Sequence, residues 1–215
     1  MEEITLAVTS CGRFDLLRHT LDSFLRHNTY PIARKIIIED SGVPDTCRQI
    51  FDTYDEEFEV IFNFPKLGHI HSLDRLYGTI ETPYIFHCED DWEFTQPGFI
   101  EKSLEVLRRR PEVVMVTLRA LHDTMGHPVE EPVYDDLYRL VTPDHLGVWS
   151  GFSLNPGLRR LSDYHLVAPY AQHGLSEADI AAEYKRRGFR GAILLERYVV
   201  HIGDGRHVFD PFQGF

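Results

Sequence analysis

Apolar runs and helical stripes alternate along the first half of the chain. Ile4-Thr5-Leu6-Ala7-Val8-Thr9 reads as a first strand that breaks at Ser10-Cys11-Gly12. Phe14, Leu17, Leu21, Phe24 and Leu25 then recur at helical spacing, predicting a helix with one apolar face. Residues 35–39, built on Ile36-Ile37-Ile38, form a second buried strand that stops at Asp40-Ser41-Gly42. Residues 45–54 follow as a helix and 59–64 as a third strand. From Gly68 to Ile80 the helical pattern returns through Ile70, Leu73, Leu76 and Tyr77. A fourth apolar run, Tyr84-Ile85-Phe86-His87-Cys88, ends abruptly in Glu89-Asp90-Asp91 and Trp92. Runs without polar alternation suit strands buried on both faces, and their alternation with helices argues for parallel βαβ units.

The second half is less regular. Phe99, Ile100, Leu104 and Leu107 mark an amphipathic helix over residues 97–110, closed by Pro111. Arg108-Arg109-Arg110 reads as its solvated basic end, favoured by the helix dipole. Residues 113–118 read as a strand, and 122–144, with many acids and several prolines, as a long loop or short excursion, of a size more often functional than accidental. Residues 148–157 alternate like a strand that ends in a turn at Asn155-Pro156-Gly157. Ser176 to Gly188 has the cap serine, early acids, late basics and glycine stop of a helix. One or two last strands over 190–200 lead to His201-Ile202-Gly203. With no repeat and no linker, a single α/β domain is expected, its sheet mostly parallel and flanked by helices.

Charge narrows the partners. The 22 Lys and Arg against 34 Asp and Glu leave a formal net charge of −12, which argues against nucleic acid or an anionic membrane surface as a partner. Cys11, Cys47 and Cys88 neither pair off nor show metal-ligand spacing, a usage that fits a reducing cytosol. The opening Met-Glu-Glu does not read as a signal peptide, and no apolar stretch approaches the ~20 residues that span a bilayer. A cytoplasmic protein without a transmembrane segment is expected.

The chemistry gathers where strands end. Thr9-Ser10, Asp40-Ser41 and Glu89-Asp90-Asp91 close three of the strands, and a parallel sheet brings such ends to one edge, where open α/β sheets bind their ligands. Turns favour Asp and Ser in any case. Three such ends on one edge, however, could collect a ligand with hydrogen-bonding, ribose-like and phosphate parts. Adjacent carboxylates repel one another, and a hard divalent cation relieves the repulsion.

These features, in this order, resemble family-2 glycosyltransferases and the wider GT-A group of nucleotide-sugar transferases, over nearly the whole chain. The resemblance implies a GT-A fold, with residues 1–94 binding the nucleotide sugar and 95–215 forming the acceptor side. It implies donor contacts from Thr9, Ser10, Arg13, Asp40 and Gly68, the last within the segment from Pro65-Lys66-Leu67-Gly68 through Leu73, which in the family precedes the metal motif and packs near the diphosphate. Glu89-Asp90-Asp91 stands where the family carries its Asp-x-Asp motif, with Glu89 and Asp90 on the donor and Asp91 on the metal. Glu177-Ala178-Asp179 is similar to the acidic motif that supplies the catalytic base, and His201 to a late histidine that can complete the metal site. The sequence departs from the family in having Glu89 for Asp and in separating the two later acids by Ala178.

Oxygen ligands suit Mg²⁺ or Mn²⁺, and an imidazole from His201 tilts the choice toward Mn²⁺; His201 could equally be a structural histidine at a strand end. Either Glu177 or Asp179 can be the base. Ser176 with Asp179 has the form of a capping box, which leaves Glu177 freer to face a pocket. One carboxylate base with no evident second nucleophile points to single displacement with inversion. Trp149 is the candidate aromatic platform for an acceptor sugar, with Trp92 and Phe152 as further candidates. The expected reaction is metal-dependent transfer of a sugar from a nucleotide-sugar donor, UDP-linked, to a glycan or small hydroxyl acceptor. A sugar-phosphate nucleotidyltransferase and a non-catalytic binding module on the same fold are the alternatives.

Overall fold

The computed structural model describes residues 1–124, 127–130, 137–143 and 151–208. Its first half follows the apolar pattern closely: strands β1 (Ile4–Ser10), β2 (Arg34–Glu39), β3 (Glu59–Phe62) and β4 (Tyr84–Glu89) alternate with helices α1 (Phe14–His27), α2 (Pro44–Tyr54) and α3 (His69–Tyr77). The four strands pair in parallel in the order β3-β2-β1-β4. After β4 the chain turns into the short strand β5 (Trp92–Phe94), then helix α4 (Phe99–Arg109) and strand β6 (Val113–Thr117). Strands β7 (Tyr138–Leu140) and β8 (Gly157–Arg160), helices α5 (Leu161–Val167) and α6 (Glu177–Arg186), and strands β9 (Arg190–Leu194) and β10 (Val199–His201) complete the order.

One sheet of eight strands runs β3-β2-β1-β4-β8-β6-β9-β7, and β5 and β10 form a separate antiparallel ribbon. β8 runs antiparallel to both β4 and β6, and β7 antiparallel to β9, so six of the eight strands share one direction. Alternate residues of each strand feed opposite faces. Ile4, Leu6, Val8, Ile37 and Phe86 pack with Leu17, Ile50 and Phe99 from α1, α2 and α4. Ala7, Ile36, Ile38 and Ile85 pack with Leu73, Tyr164 and Ile180 from α3, α5 and α6.

Two expectations for the second half need correcting. The acidic segment 122–144 is not loop throughout, because β7 lies inside it and pairs with β9. Strand β8 begins only at Gly157, where a side chain would strike the Val116 carbonyl, while residues 151–156 form bends and irregular backbone. Helix α5 and the short 3-10 turn Tyr170–Gln172 carried no sequence signal. Among the described residues, no helix is long and apolar enough to cross a membrane.

Candidate active site

The carboxyl ends of β1, β2 and β4 open on a cleft of about 250 Å³ lined by Thr9, Ser10, Arg13, Asp40, Glu89, Asp90 and Asp91. The turn carrying the acids is tied down by α1. The buried Thr20 hydroxyl donates to the Asp90 carbonyl (2.9 Å) and accepts from the Trp92 N–H (3.0 Å). One helical turn on, the Ser23 hydroxyl accepts from the Phe94 N–H (3.0 Å). Hydroxyls three residues apart share a helix face, so α1 meets the backbone of the turn twice.

Each acid faces a different partner. Asp90, 1% exposed, is ion-paired with Arg13 and accepts from the Cys11 N–H (3.3 Å) and the Ser10 hydroxyl (3.4 Å). Burial pushes its pKa up to about 6 even though Arg13 pulls the other way. Asp91 Oδ2 lies 2.9 Å from Arg13 Nη1 and 3.3 Å from His201 Nε2. The strand end after β10 clasps Asp91: the Ile202 N–H donates to its carbonyl (2.9 Å), and Gly203 packs so tightly that a Cβ would collide with the carboxylate. His201 Nδ1 lies 2.9 Å from Asp204 Oδ1, a pairing that orients the ring. Glu89 accepts from Trp92 Nε1 (3.3 Å) and lies 3.8 Å from His69 Nε2. Burial, and then the charges of Glu177 and Asp91, hold its carboxyl well above the usual range.

Asp40 lines the cleft and also anchors its wall. Its Oδ1 accepts from Asn63 Nδ2 (2.8 Å) and the Leu67 N–H (2.8 Å), and its Oδ2 from the Gly68 N–H (2.9 Å). That grip fixes the loop that brings Lys66 and His69 to the cleft wall, with Gly68 at φ +90° behind it. Glu39, fully buried, does the same for the neighbouring loop by accepting from the Gly12 and Ser41 N–H groups at 2.9 Å each.

A second cavity of about 230 Å³ lies on the α6 side, lined by Arg119, Asp123, His127, Phe152, Asn155 and Glu177 among others. The Glu177 Oε1 accepts from the Leu154 N–H at 2.6 Å. Burial raises its pKa, while that N–H, Arg159 and Arg119 oppose the rise. Asp179 instead completes the capping box: its N–H donates to Ser176 Oγ (3.2 Å) and its carboxylate accepts from the Ser176 N–H (3.2 Å) and hydroxyl (2.7 Å). Trp92 is buried between His201 (ring centroids 5.0 Å apart) and the Arg119 guanidinium (5.3 Å), and Phe152 is 3% exposed. Trp149 lies outside the described residues.

Among the described residues no three His, Cys, Asp or Glu side chains close into a metal cage. Asp91 Oδ2 and His201 Nε2 nonetheless fit adjacent positions on one ion, being 3.3 Å apart against about 3 Å for neighbouring ligands on a six-coordinate cation.

A family model described as glycosyl transferase family 2 matches residues 5–133 of the chain. The chain belongs to that family. Its fold is the GT-A fold of glycosyltransferases. Rat beta-1,4 N-acetylgalactosaminyltransferase 1 is 29% identical over 108 residues, which are 50% of this chain and 19% of that protein. The mannosyltransferase PcManGT from Pyrobaculum calidifontis, solved in complex with GDP-Man and Mn2+, superposes with a TM-score of 0.66 at 13% identity, over 94% of this chain and 57% of that one. S. aureus TarS, residues 1–349, gives 0.63 at 12% identity, over 92% and 59%. The chain thus spans about a fifth of the rat relative and under two thirds of these structural neighbours.

Further residues line the two cavities. His69 and Ser72, within the segment through Leu73 that the resemblance set near the diphosphate, reach the cleft from α3, and His207 and Val208, which carried no sequence signal, reach it from beyond β10. Arg119, just past β6, grips Asp123 (2.7 and 3.0 Å) and Asn155 (2.9 Å) in the second cavity; an arginine at a strand end was the available cue.

Proposed function

We propose that this domain transfers a sugar from a nucleoside-diphosphate donor to a hydroxyl acceptor with inversion, Glu177 acting as the base. The carrying observation is a pair of cavities, one lined by strand-end polar groups including Glu89 and the other by Glu177, whose charge is felt at Glu89. In this reading residues 1–94 hold the donor in the first cavity. The remainder shapes the acceptor cavity and returns His201 to the donor side. Asp91 and His201 would hold Mn²⁺ or Mg²⁺; when bound, the ion neutralises charge on the departing diphosphate. Mn²⁺ in the archaeal mannosyltransferase supports that assignment. Arg13 and Lys66 set positive charge against the phosphates in an otherwise acidic cleft.

On the acceptor side, one Glu177 oxygen is fixed by the Leu154 N–H and the other takes the hydroxyl proton. Its raised pKa suits a base that must be strong enough to accept that proton. Asp179, folded into its capping box, keeps the helix start in place. UDP is our reading of the nucleotide, and the GDP-Man held by the mannosyltransferase makes GDP its competitor. Thermal melting with UDP, GDP, CDP and dTDP, each with Mn²⁺, Mg²⁺ or chelator, tests the donor half. Stabilisation by one nucleotide, dependent on metal and lost in Asp91→Ala, is the expected result. Stabilisation that survives both chelator and the substitution would remove Asp91 as a metal ligand. A transferred sugar that retains the donor's anomeric configuration would remove single displacement.

A further inference from the structure

Arg159 is one of the least expected side chains in the molecule. It sits on β8, 1% exposed, opposite Ile85 of β4 and among Tyr77, Tyr170 and Tyr184. Its guanidinium stacks over Phe152 with Cζ 5.2 Å from the ring centroid, and among the described residues its Nε and Nη1 meet no acceptor within hydrogen-bond geometry. Burying a cation without a paired carboxylate is costly, and aromatic faces return part of that cost. An apolar residue on this strand would fold with less strain, so the charge needs a reason.

The reason lies in one peptide group. Arg159 Nη2 donates to the Ser153 carbonyl (3.3 Å), and the Leu154 N–H donates to Glu177 Oε1 (2.6 Å). Ser153 C=O and Leu154 N–H belong to the same planar amide, whose two ends point in opposite directions. We infer that Arg159 is a positioning residue that acts on Glu177 through the Ser153–Leu154 peptide. A cation on the carbonyl oxygen polarises the amide, and the polarised N–H holds the carboxylate more firmly and in one orientation. The arrangement is a guanidinium–amide–carboxylate relay, and it rests on Glu177 being the group that does chemistry.

Other charged and titratable groups around Glu177 come from several elements. Arg119 after β6 draws its pKa down as Arg159 does, and Glu89 at the end of β4 feels its charge. Asp123 and His127 line the same cavity. His87 on β4, fully buried near Arg159, is held neutral by burial and by that guanidinium, so it adds no competing charge.

The test is carbon-13 NMR of glutamate side-chain carboxyls in the 215-residue chain, with Glu177 assigned by its loss in Glu177→Gln. Arg159→Met should raise the Glu177 midpoint by about one pH unit, and Arg159→Lys by less, because the charge remains. The pH at half-maximal turnover should move with the midpoint, a change that a merely structural role would not produce. A Glu177 midpoint that is unmoved in folded Arg159→Met overturns the inference. The unmutated protein gives an independent reading. The Leu154 amide proton and the Arg159 guanidinium nitrogens should shift with one midpoint, that of Glu177, and guanidinium signals silent through this titration also overturn it. If Glu177→Gln keeps full turnover, the base assignment falls. The titration still decides the relay.

Discussion

Replacing Asp40 by asparagine exchanges one oxygen for an amide nitrogen with almost no change of shape. The site is 5% exposed, and the groups seen to bond the carboxylate among the described residues are all donors: Asn63 Nδ2, the Leu67 N–H and the Gly68 N–H. With its oxygen kept at the Oδ1 position, the introduced side chain accepts from Asn63 and Leu67 but turns its own NH₂ toward the Gly68 N–H. The flipped amide loses two partners in place of one. A buried donor left without an acceptor costs about 1–3 kcal/mol, and two charge-assisted bonds become neutral ones, each weaker by about 1 kcal/mol. Relief of the buried charge returns part of this, so Asp40→Asn should destabilise by about 3 kcal/mol.

For a chain of this size that corresponds to a fall in Tm of about 6–12 °C. Equilibrium unfolding in urea is the assay, with an unchanged m-value expected, since the substitution alters a local anchor and not the surface exposed on unfolding. Nucleotide binding, measured well below the lowered Tm, should weaken as well, because the loop that carries Lys66 and His69 loses one of its ties. A loss below about 0.5 kcal/mol would refute the reasoning, since it would mean that the Gly68 N–H finds another acceptor or water at no cost.

Glu177→Gln should have a pH-dependent effect on stability. The native carboxyl holds its proton more tightly than the usual 4.5 allows, so its contribution is fully present below pH 4.5 and is lost as pH rises through the raised value. The variant should therefore match the parent in Tm near pH 4 and exceed it at pH 7, while its turnover is lost; equal Tm differences at both pH values would contradict this. Asp179→Ala should lower stability by about 1 kcal/mol through loss of the cap but leave the pH profile of turnover unchanged, which separates the two acids by calorimetry and kinetics. Gly203→Ala forces a methyl group into the Asp91 carboxylate and should cost about 1–3 kcal/mol, together with much of the metal-dependent shift in nucleotide melting.

The sequence disclosed those parts of the molecule in which pattern and environment agree. β1, β2 and β4 are apolar runs buried on both faces, and the helices between them carry one apolar stripe each, so both faces of the sheet were legible. β5 was not, because it is three residues long and its partner β10 follows about a hundred residues later. β8 was not, because Arg159 and Arg160 break any apolar alternation: Arg160 reaches Asp163 (2.7 Å), while Arg159 turns into the core. Within the site, strand-end position pointed to the polar groups that line the first cleft. Glu39, Arg159 and Thr20 escaped notice because a buried polar residue reads in one dimension like an exposed one. What distinguishes them is a partner far along the chain, such as the Trp92 N–H for Thr20.

The acid triplet shows why its density is tolerable. Three carboxylates in sequence would raise one another's pKa values if they shared a space. Successive residues at a strand end point to different sides, and the surroundings supply each side with a different counterweight. Glu89 meets Trp92 Nε1 and His69, Asp90 meets Arg13 and two further donors, and Asp91 meets His201. The Arg13 fork also reaches Asp91 Oδ2, the same oxygen that faces His201, and its Nη1 lies 3.2 Å from the Arg206 carbonyl beyond β10. A single guanidinium therefore balances two acids and joins the first loop of the sheet to the last described segment of the chain. Asp91 shares its cation with Asp90, and its Oδ2 has an imidazole nitrogen on its other side. Of the three acids it is the one whose surroundings suit an exchangeable cation, and the cleft at the strand ends opens beside it.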